Sequence, residues 1–239
     1  MTGSATLQRD TREEACELKC LLEASVAEAV MDWARAHLQP DPNLRPGRDS
    51  YQVSSIYLDT RERDVLRRRG SYARSKYRVR RYDDADTVFV ERKTKTRQLV
   101  NKRRELLPLA ALPAAGLLGA ADSASWFWRR ARVRGLAPVY VVQYQRFACV
   151  GTSAYGPLRL TLDSDLLAWP TAALQFAPQP ASRALVASLR ILELKYRQVL
   201  PVEFRSLIAQ FALTTRDISK YQLAARVLEP ELQEVRADA

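Results

Sequence analysis

Apolar and polar residues alternate in short runs along most of this chain. Strict alternation over four to eight residues marks a half-buried strand. The runs ACELKCLL (15–22), YQVSSIYLD (51–59), PVYVVQYQRFACV (138–150), PLRLTLDSDL (157–166) and RILELKYR (190–197) keep this period. So do LVNKRREL (99–106) and both arms of KYRVRRYDDADTVFVERKTK (76–95), whose DDAD suits a hairpin turn. Helical spacing is confined to a few stretches. ASVAEAVMDWARAHL (24–38) places Val26, Val30, Trp33 and Leu38 near one face, with Ser25 as its expected N-cap. Short helices are also expected over 60–70, ending at Gly70, over 123–135, from a first-turn Pro201 onward, and from near Ser219. The Ala/Pro/Leu-rich 107–120 reads as a connector and 168–187 as an irregular excursion.

Eight strands with short helices between them predict an α+β protein built on an antiparallel sheet. Eight strands can also close into a small barrel. The expected layout is a disordered start (1–12), one domain (13–228) and a polar tail (229–239).

Side chains two apart on a strand share a face. One face carries Glu17 and Lys19, Tyr57 and Asp59, then Lys76, Arg78 and Arg80, then Glu91, Lys93 and Lys95. It continues with Lys102 and Arg104, Tyr144 and Arg146, Asp163 and Asp165, and finally Glu193, Lys195 and Arg197. The opposite faces hold Val79, Val88, Val90, Val139, Val141, Leu158, Leu160, Leu162, Leu192 and Leu194. For a single strand, a polar face turned to water is the simpler reading. Lys/Arg pairs recurring from strand to strand favour a closed sheet with this face inward, its apolar exterior covered by helices. Like charges on one enclosed face repel, so a bound polyanion is expected to compensate them.

Charge and composition agree with that picture. The chain of 239 residues has 38 Lys plus Arg against 27 Asp plus Glu, a net charge of +11, with 47% apolar residues. Such a balance favours an anionic partner. Cys16, Cys20 and Cys149 form no disulfide framework, and the Cys16/Cys20 spacing lacks the second ligand pair of a zinc site. The single histidine, His37, falls beside Trp33 on the first helix and reads as structural. With only 8 glycines, no glycine-rich phosphate loop or dinucleotide fingerprint is present. Residues 1–15 are polar, and the longest apolar run (106–121) contains two prolines and is too short to cross a hydrocarbon core of about 30 Å. A soluble, cytoplasmic protein without a membrane span of its own is expected.

Arg offers forked donors to phosphate oxygens and Lys a mobile point charge. Carboxylates among them suit Mg²⁺ or Mn²⁺, which bridge carboxylate and phosphate oxygens. The ordered segments ELK, SSIYLDT, KYRVRRY, ERKTK, NKRRE, YQR, LELKY and SKY resemble the VTC domain. That domain is the catalytic part of vacuolar transporter chaperone proteins and their bacterial relatives, within the triphosphate tunnel metalloenzymes. The resemblance spans about residues 13–224. It implies an eight-stranded antiparallel tunnel and an ATP-dependent polyphosphate polymerase using Mn²⁺ or Mg²⁺. Carried over by motif, Lys19, Arg78, Arg80, Lys93, Lys102, Arg146 and Lys220 would bind phosphate. Lys76, on the same strand face, joins them as a substrate contact. Glu193 would hold the metal, with Glu17 and Glu91 as further candidates, and Tyr144 and Ser219 would add hydroxyl contacts. The wider superfamily often opens with Glu-x-Glu-x-Lys. Ala15 replaces the first Glu here, which fits the VTC branch and weakens the case for two metals.

The implied substrates are ATP and inorganic polyphosphate. A separate membrane-protein partner is compatible with the family, and no nucleic-acid partner is expected. Two other readings stay open: a triphosphatase using the same tunnel with water as acceptor, and a non-catalytic polyanion-binding module.

Overall fold

The computed structural model describes residues 15–96, 99–113 and 125–232. The expected disordered start and most of the expected tail lie outside the described residues, as does the part of the 107–120 connector beyond Pro113.

The strands run β1 (Ala15–Leu22), β2 (Gln39–Pro40), β3 (Ser50–Asp59), β4 (Ser75–Tyr82), β5 (Thr87–Thr96), β6 (Leu99–Pro108), β7 (Ala137–Ser153), β8 (Gly156–Pro170), β9 (Arg183–Ala184) and β10 (Arg190–Arg197). The helices are α1 (Ala24–His37), α2 (Trp126–Val133), α3 (Val202–Gln210) and α4 (Lys220–Leu228). Every ladder is antiparallel, in the order β1-β10-β8-β7-β3-β4-β5-β6, with the two-residue β2 and β9 added on β7 and β8. The expected eight strands form this main path; β2 and β9 were not foreseen. The end strands β1 and β6 pass close to each other. No ladder joins them among the described residues, so the sheet curls into a tunnel without hydrogen-bonded closure.

The apolar exterior is covered as expected. Val30, Trp33 and Ala34 of α1 and Phe204 and Leu207 of α3 pack with Leu158, Leu160, Leu162, Leu192 and Leu194. Phe127, Trp128 and Ala131 of α2 belong to the second cluster, with Tyr77, Val79, Val88 and Val90. Burying an aliphatic side chain stabilises by roughly 1.5–3 kcal/mol, so the helices contribute most by covering this face. His37 stacks on Trp33 with ring centroids 4.4 Å apart.

Four local expectations are corrected. Glu23, without a side-chain cap bond, precedes α1 in place of Ser25. Pro201 is the N-cap of α3 and not a first-turn residue. β7 and β8 are longer than the alternation suggested, and β8 continues to Pro170, into the stretch read as irregular. Residues 61–69 form turns and no helix. There the buried Asp59 carboxylate accepts the backbone N–H of Thr60 (2.7 Å), Val65 (2.8 Å) and Leu66 (2.9 Å). Arg63 (φ 59°) and Arg68 (φ 55°) adopt the left-handed region, which interrupts any helix.

Asp59 also accepts the Tyr221 hydroxyl at 2.5 Å, tying this loop to α4. Arg63 repeats the tie at the far end of α4, donating to Glu229 at 2.7 and 3.2 Å. Asp59→Ala would leave three backbone donors and one hydroxyl without their acceptor. Each buried orphan costs about 1–3 kcal/mol, so a loss of about 3 kcal/mol or more is expected. Tyr221→Phe keeps the stacking and should cost about 1 kcal/mol. Urea unfolding midpoints check the order; equal losses would show that the carboxylate does not organise the loop.

Candidate functional site

The register brings the polar faces together. Tyr57 pairs with Arg78 and Ser55 with Arg80 between β3 and β4. Arg78 pairs with Glu91, and Lys76 with Lys93, between β4 and β5; Lys93 then meets Lys102 on β6. On the other side Lys19 pairs with Glu193, and Glu17 with Lys195. Glu193 continues to Thr161 and Lys195 to Arg159 on β8, while Asp163 pairs with Arg146 on β7. These residues share one face by strand parity, and it is the interior of the tunnel.

Two acids expected on this face are elsewhere. Asp59 organises the 60–69 loop. Asp165 is exposed with φ 51°, beyond the register shift between Gln143 and Gln145. That bulge changes the alternation the strand would otherwise keep.

α4 places the remaining site residues. Its first residues lie against the concave side, where Tyr221 stacks on Tyr57 at 5.0 Å and meets Tyr140 at 5.7 Å. Lys220 is thereby directed inward, its Nζ 2.6 Å from Asp163 Oδ2 and 2.8 Å from Glu193 Oε1. Ser219 caps the helix, accepting from the Gln222 N–H, and also accepts from Lys76 Nζ at 2.9 Å. The expected cap is thus present, and the same hydroxyl meets an interior lysine.

The interior carboxylates are held by cations. Arg146 reaches both oxygens of Asp163, at 2.6 and 2.8 Å. Glu91 takes Arg78 on one oxygen at 2.6 Å and Lys102 on the other at 3.0 Å. Glu17 lies 3.0 Å from Lys93 and 3.2 Å from Lys19. The Lys93–Glu17 pair bridges β5 to β1 across the open seam. Burial alone would raise the Glu17 pKa, and Glu193 pushes the same way, but Lys19, Lys195 and Lys93 bring it down to about 2. Burial likewise opposes ionisation of Glu193, which Lys220 and Lys19 overcome, holding it well below the usual carboxylate range. Glu91 is lowered against burial by Arg78 and Arg80.

Two interior cations have hydroxyls as their direct partners. Arg80 donates to Ser55 at 3.0 Å and Tyr144 at 3.3 Å; Lys76 donates to Ser219. Burial, then Lys19 and Lys93, lowers the Lys76 pKa to about 7. Burial lowers Lys195 to about 8 despite Glu193 and Glu17. Tyr144 sits centrally, with the Arg146 guanidinium 5.2 Å and Lys220 Nζ 4.9 Å from its ring centroid. A cavity of about 730 Å³ opens at one end, lined by Glu17, Lys19, Lys76 and Lys93 among others.

Sequence reasoning named Asp163 and Lys195 on the face but not among the site residues, and it missed Arg159. The alternation Arg159-Thr161-Asp163 contains the signal for two of them. Arg159 donates to Asp41 at 2.6 Å and Tyr51 at 2.9 Å, partners supplied by other elements.

For a divalent metal, the donor chemistry separates the three acids. Both oxygens of Glu91 are occupied by cations at close range. Among the described residues, the cations at Glu193 Oε2 are Lys195 at 3.7 Å and Arg146 at 3.8 Å, leaving a hard, ionised oxygen donor facing the interior. Glu193 therefore fits a metal, with Glu17 diagonally beside it. No group of three or more His, Cys, Asp or Glu among the described residues could hold an ion alone. Phosphate oxygens and water would complete the shell, as Mg²⁺ commonly requires.

The family model described as the VTC domain matches residues 14–229. The chain belongs to the VTC domain family. Solved structures share the fold. A candidate adenylate cyclase from Bacillus halodurans is 14% identical with a TM-score of 0.52, covering 87% of this chain and 94% of its own. HpAC1 from Hippeastrum, a candidate adenylyl cyclase with a dominant triphosphatase activity, is 13% identical with a TM-score of 0.52, covering 90% and 95%. No curated protein matches the chain. The VTC fold thus places these cations and acids on one enclosed surface.

Two outcomes follow from the geometry. Arg80→Ala should weaken tripolyphosphate binding by on the order of 10²-fold, the usual scale for a buried charged contact. Arg81→Ala should change it little, because Arg81 lies on the opposite face and donates to Ala85 O at 2.8 Å. Titration calorimetry compares them, and equal losses would refute the face assignment. Binding should also weaken as pH rises from 6 to 9, because Lys76 and then Lys195 lose their protons through about 7 and about 8. Lys76→Met should bind more weakly at pH 6 and show a flatter profile over pH 6–8. An unchanged slope would show that Lys76 does not face the ligand.

Proposed function

We propose that this protein is a metal-dependent phosphotransferase that extends inorganic polyphosphate from ATP. The observation that supports this is the interior charge. Cations line the tunnel from Lys19 and Lys220 through Arg146 and Arg80 to Lys102, in clear excess over carboxylates that are already paired. Such a surface calls for a polyanion, and its cations are more numerous than one triphosphate requires.

Phosphoryl transfer needs alignment and charge stabilisation more than covalent chemistry. A terminal phosphate oxygen of the acceptor chain forms a bond to the γ-phosphorus of ATP. The bond from that phosphorus to the β–γ bridging oxygen breaks, and ADP leaves with the electron pair. The acceptor oxygen is already ionised at neutral pH, so no general base is required. Arg78, Arg80 and Arg146 neutralise charge on the transferred group, while Lys93 and Lys102 hold neighbouring phosphates. Lys19, Lys76, Ser219 and Lys220 fix the other flank, and Tyr144 orients Arg80 through its hydroxyl. Glu193, with Glu17 near, would hold Mn²⁺ or Mg²⁺, which would supply positive charge against the phosphates.

A triphosphatase would use the same residues with water as acceptor. The extended cation row favours a polymeric acceptor over water. With ATP, Mn²⁺ and a short polyphosphate primer, electrophoresis should show chains longer than the primer together with ADP. Orthophosphate alone would assign the hydrolase instead. Glu193→Gln should lower metal-dependent turnover by on the order of 10²-fold or more while thermal unfolding stays cooperative. Full activity across a Mn²⁺ titration would remove Glu193 from the metal site.

A further inference from the structure

The basic surface continues outside the tunnel. Arg68, Arg74 and Arg216 are exposed and line the 730 Å³ mouth cavity, with Arg68 Nη2 3.7 Å from Asp217, the single exposed acid in that lining. The chain from Arg74 back to Ser71 is held by α2: Arg134 Nη1 donates to Ser71 O at 3.3 Å, and Tyr72 OH donates to Arg134 O at 3.0 Å. The Arg134 guanidinium also lies 4.8 Å from the Tyr72 ring centroid. The mouth is thus joined to α2, whose sequence WFWRRARV contains no acid. Arg129, Arg130 and Arg132 are exposed on it.

The helix dipole explains some of this charge, since cations near a C-terminus are favourable. It does not explain Arg129, nor Arg74 and Arg216 on the rim, while Arg68 is paired with the exposed Asp217. Residues four apart on a helix are neighbours, and like charges there destabilise by a few tenths of a kcal/mol. Arg130 and Arg134 stand in that relation. The arginines are forked donors suited to phosphate oxygens, and they begin where the tunnel opens.

We propose that the arginine surface from the tunnel mouth along residues 68–74 to α2 is a docking track for the part of an inorganic polyphosphate chain that lies outside the tunnel. This rests on the polyanion reading of the tunnel. The track lets affinity grow with chain length after the tunnel is filled. It also holds the growing polymer near the mouth.

The test compares tripolyphosphate with long-chain polyphosphate on the whole protein, by titration at low and moderate salt. The wild type should bind the long chain about tenfold or more tighter, with a steeper salt dependence, because more counterions are released. Arg74→Gln/Arg129→Gln/Arg130→Gln should lose that advantage and keep tripolyphosphate affinity. Arg80→Ala, which damages the tunnel alone, should retain salt-sensitive long-chain binding. Equal long-chain binding by the triple variant and the wild type overturns the track. So does retained polyphosphate binding by the triple variant combined with lost sedimentation on phosphatidylserine vesicles, which would assign the surface to a membrane. Failure of the wild type to bind either phosphate overturns the tunnel reading, and the track with it.

Discussion

The structure depends on enclosing like charges without letting them push the sheet open. Two cations about 4 Å apart repel by several kcal/mol at an intermediate effective dielectric. The fold answers with carboxylates placed between them by register. Asp163 sits between Arg146 and Lys220, Glu91 between Arg78 and Lys102, and Glu17 between Lys19 and Lys93. Glu193 draws Lys19, Lys195, Lys220 and Arg146 toward one point. Each acid joins different strands, or a strand to α4. The charge network therefore acts across the sheet as well as along it. The Glu17–Lys93 pair matters most for shape, since β1 and β6 have no ladder between them among the described residues.

The same logic explains why a helix near the end of the chain enters a strand-built site. Lys220 reaches two acids at once: Glu193, whose strand cations stand 3.7–3.8 Å away, and Asp163, already paired with Arg146. It can do so only if α4 is held at a fixed depth. The Asp59–Tyr221 and Arg63–Glu229 contacts set that depth from the 60–69 loop, while Tyr57 supports Tyr221 from the tunnel wall. A loop that lines the cavity mouth with Val65, Leu66 and Arg68 is thereby coupled to the placement of Ser219 and Lys220. Positioning of the interior cations and shaping of the entrance are one structural problem.

Strand identity and facing were legible because a period of two survives wherever the ladder is regular. Arg78, Arg80, Glu91, Lys93, Lys102, Arg146 and Glu193 all fall on the face their parity indicates. Legibility failed where parity is broken or where a partner comes from elsewhere. The bulge near Gln143 put Asp165 outside, and the turn chemistry of Asp59 replaced a helix suggested by composition. Pairings such as Lys220 with Asp163 depend on how α4 docks, which no local spacing encodes. Arg159 lies outside the sequence reading of the face although its alternation with Thr161 and Asp163 is regular, and its partner Asp41 lies in a distant loop.

The pairing pattern also divides the cations by task. Arg146, Arg78 and Lys220 are bound to carboxylates at 2.6–2.8 Å and form part of the wall. Drawing them onto a ligand requires competing with those acids. Arg80 and Lys76, held by hydroxyls, can exchange a neutral acceptor for a charged one at little electrostatic cost. Charge-assisted hydrogen bonds are roughly twice as strong as neutral ones, so an anionic acceptor would gain most at these two positions. Their spacing of four residues along β4 places them on the same face, separated by Arg78. Extended strand rises about 3.3 Å per residue, so the two lie roughly 13 Å apart. That separation suits a chain of phosphates running along the strand better than a single phosphate group. The wall cations between them would then screen the chain's charge without having to release their acids.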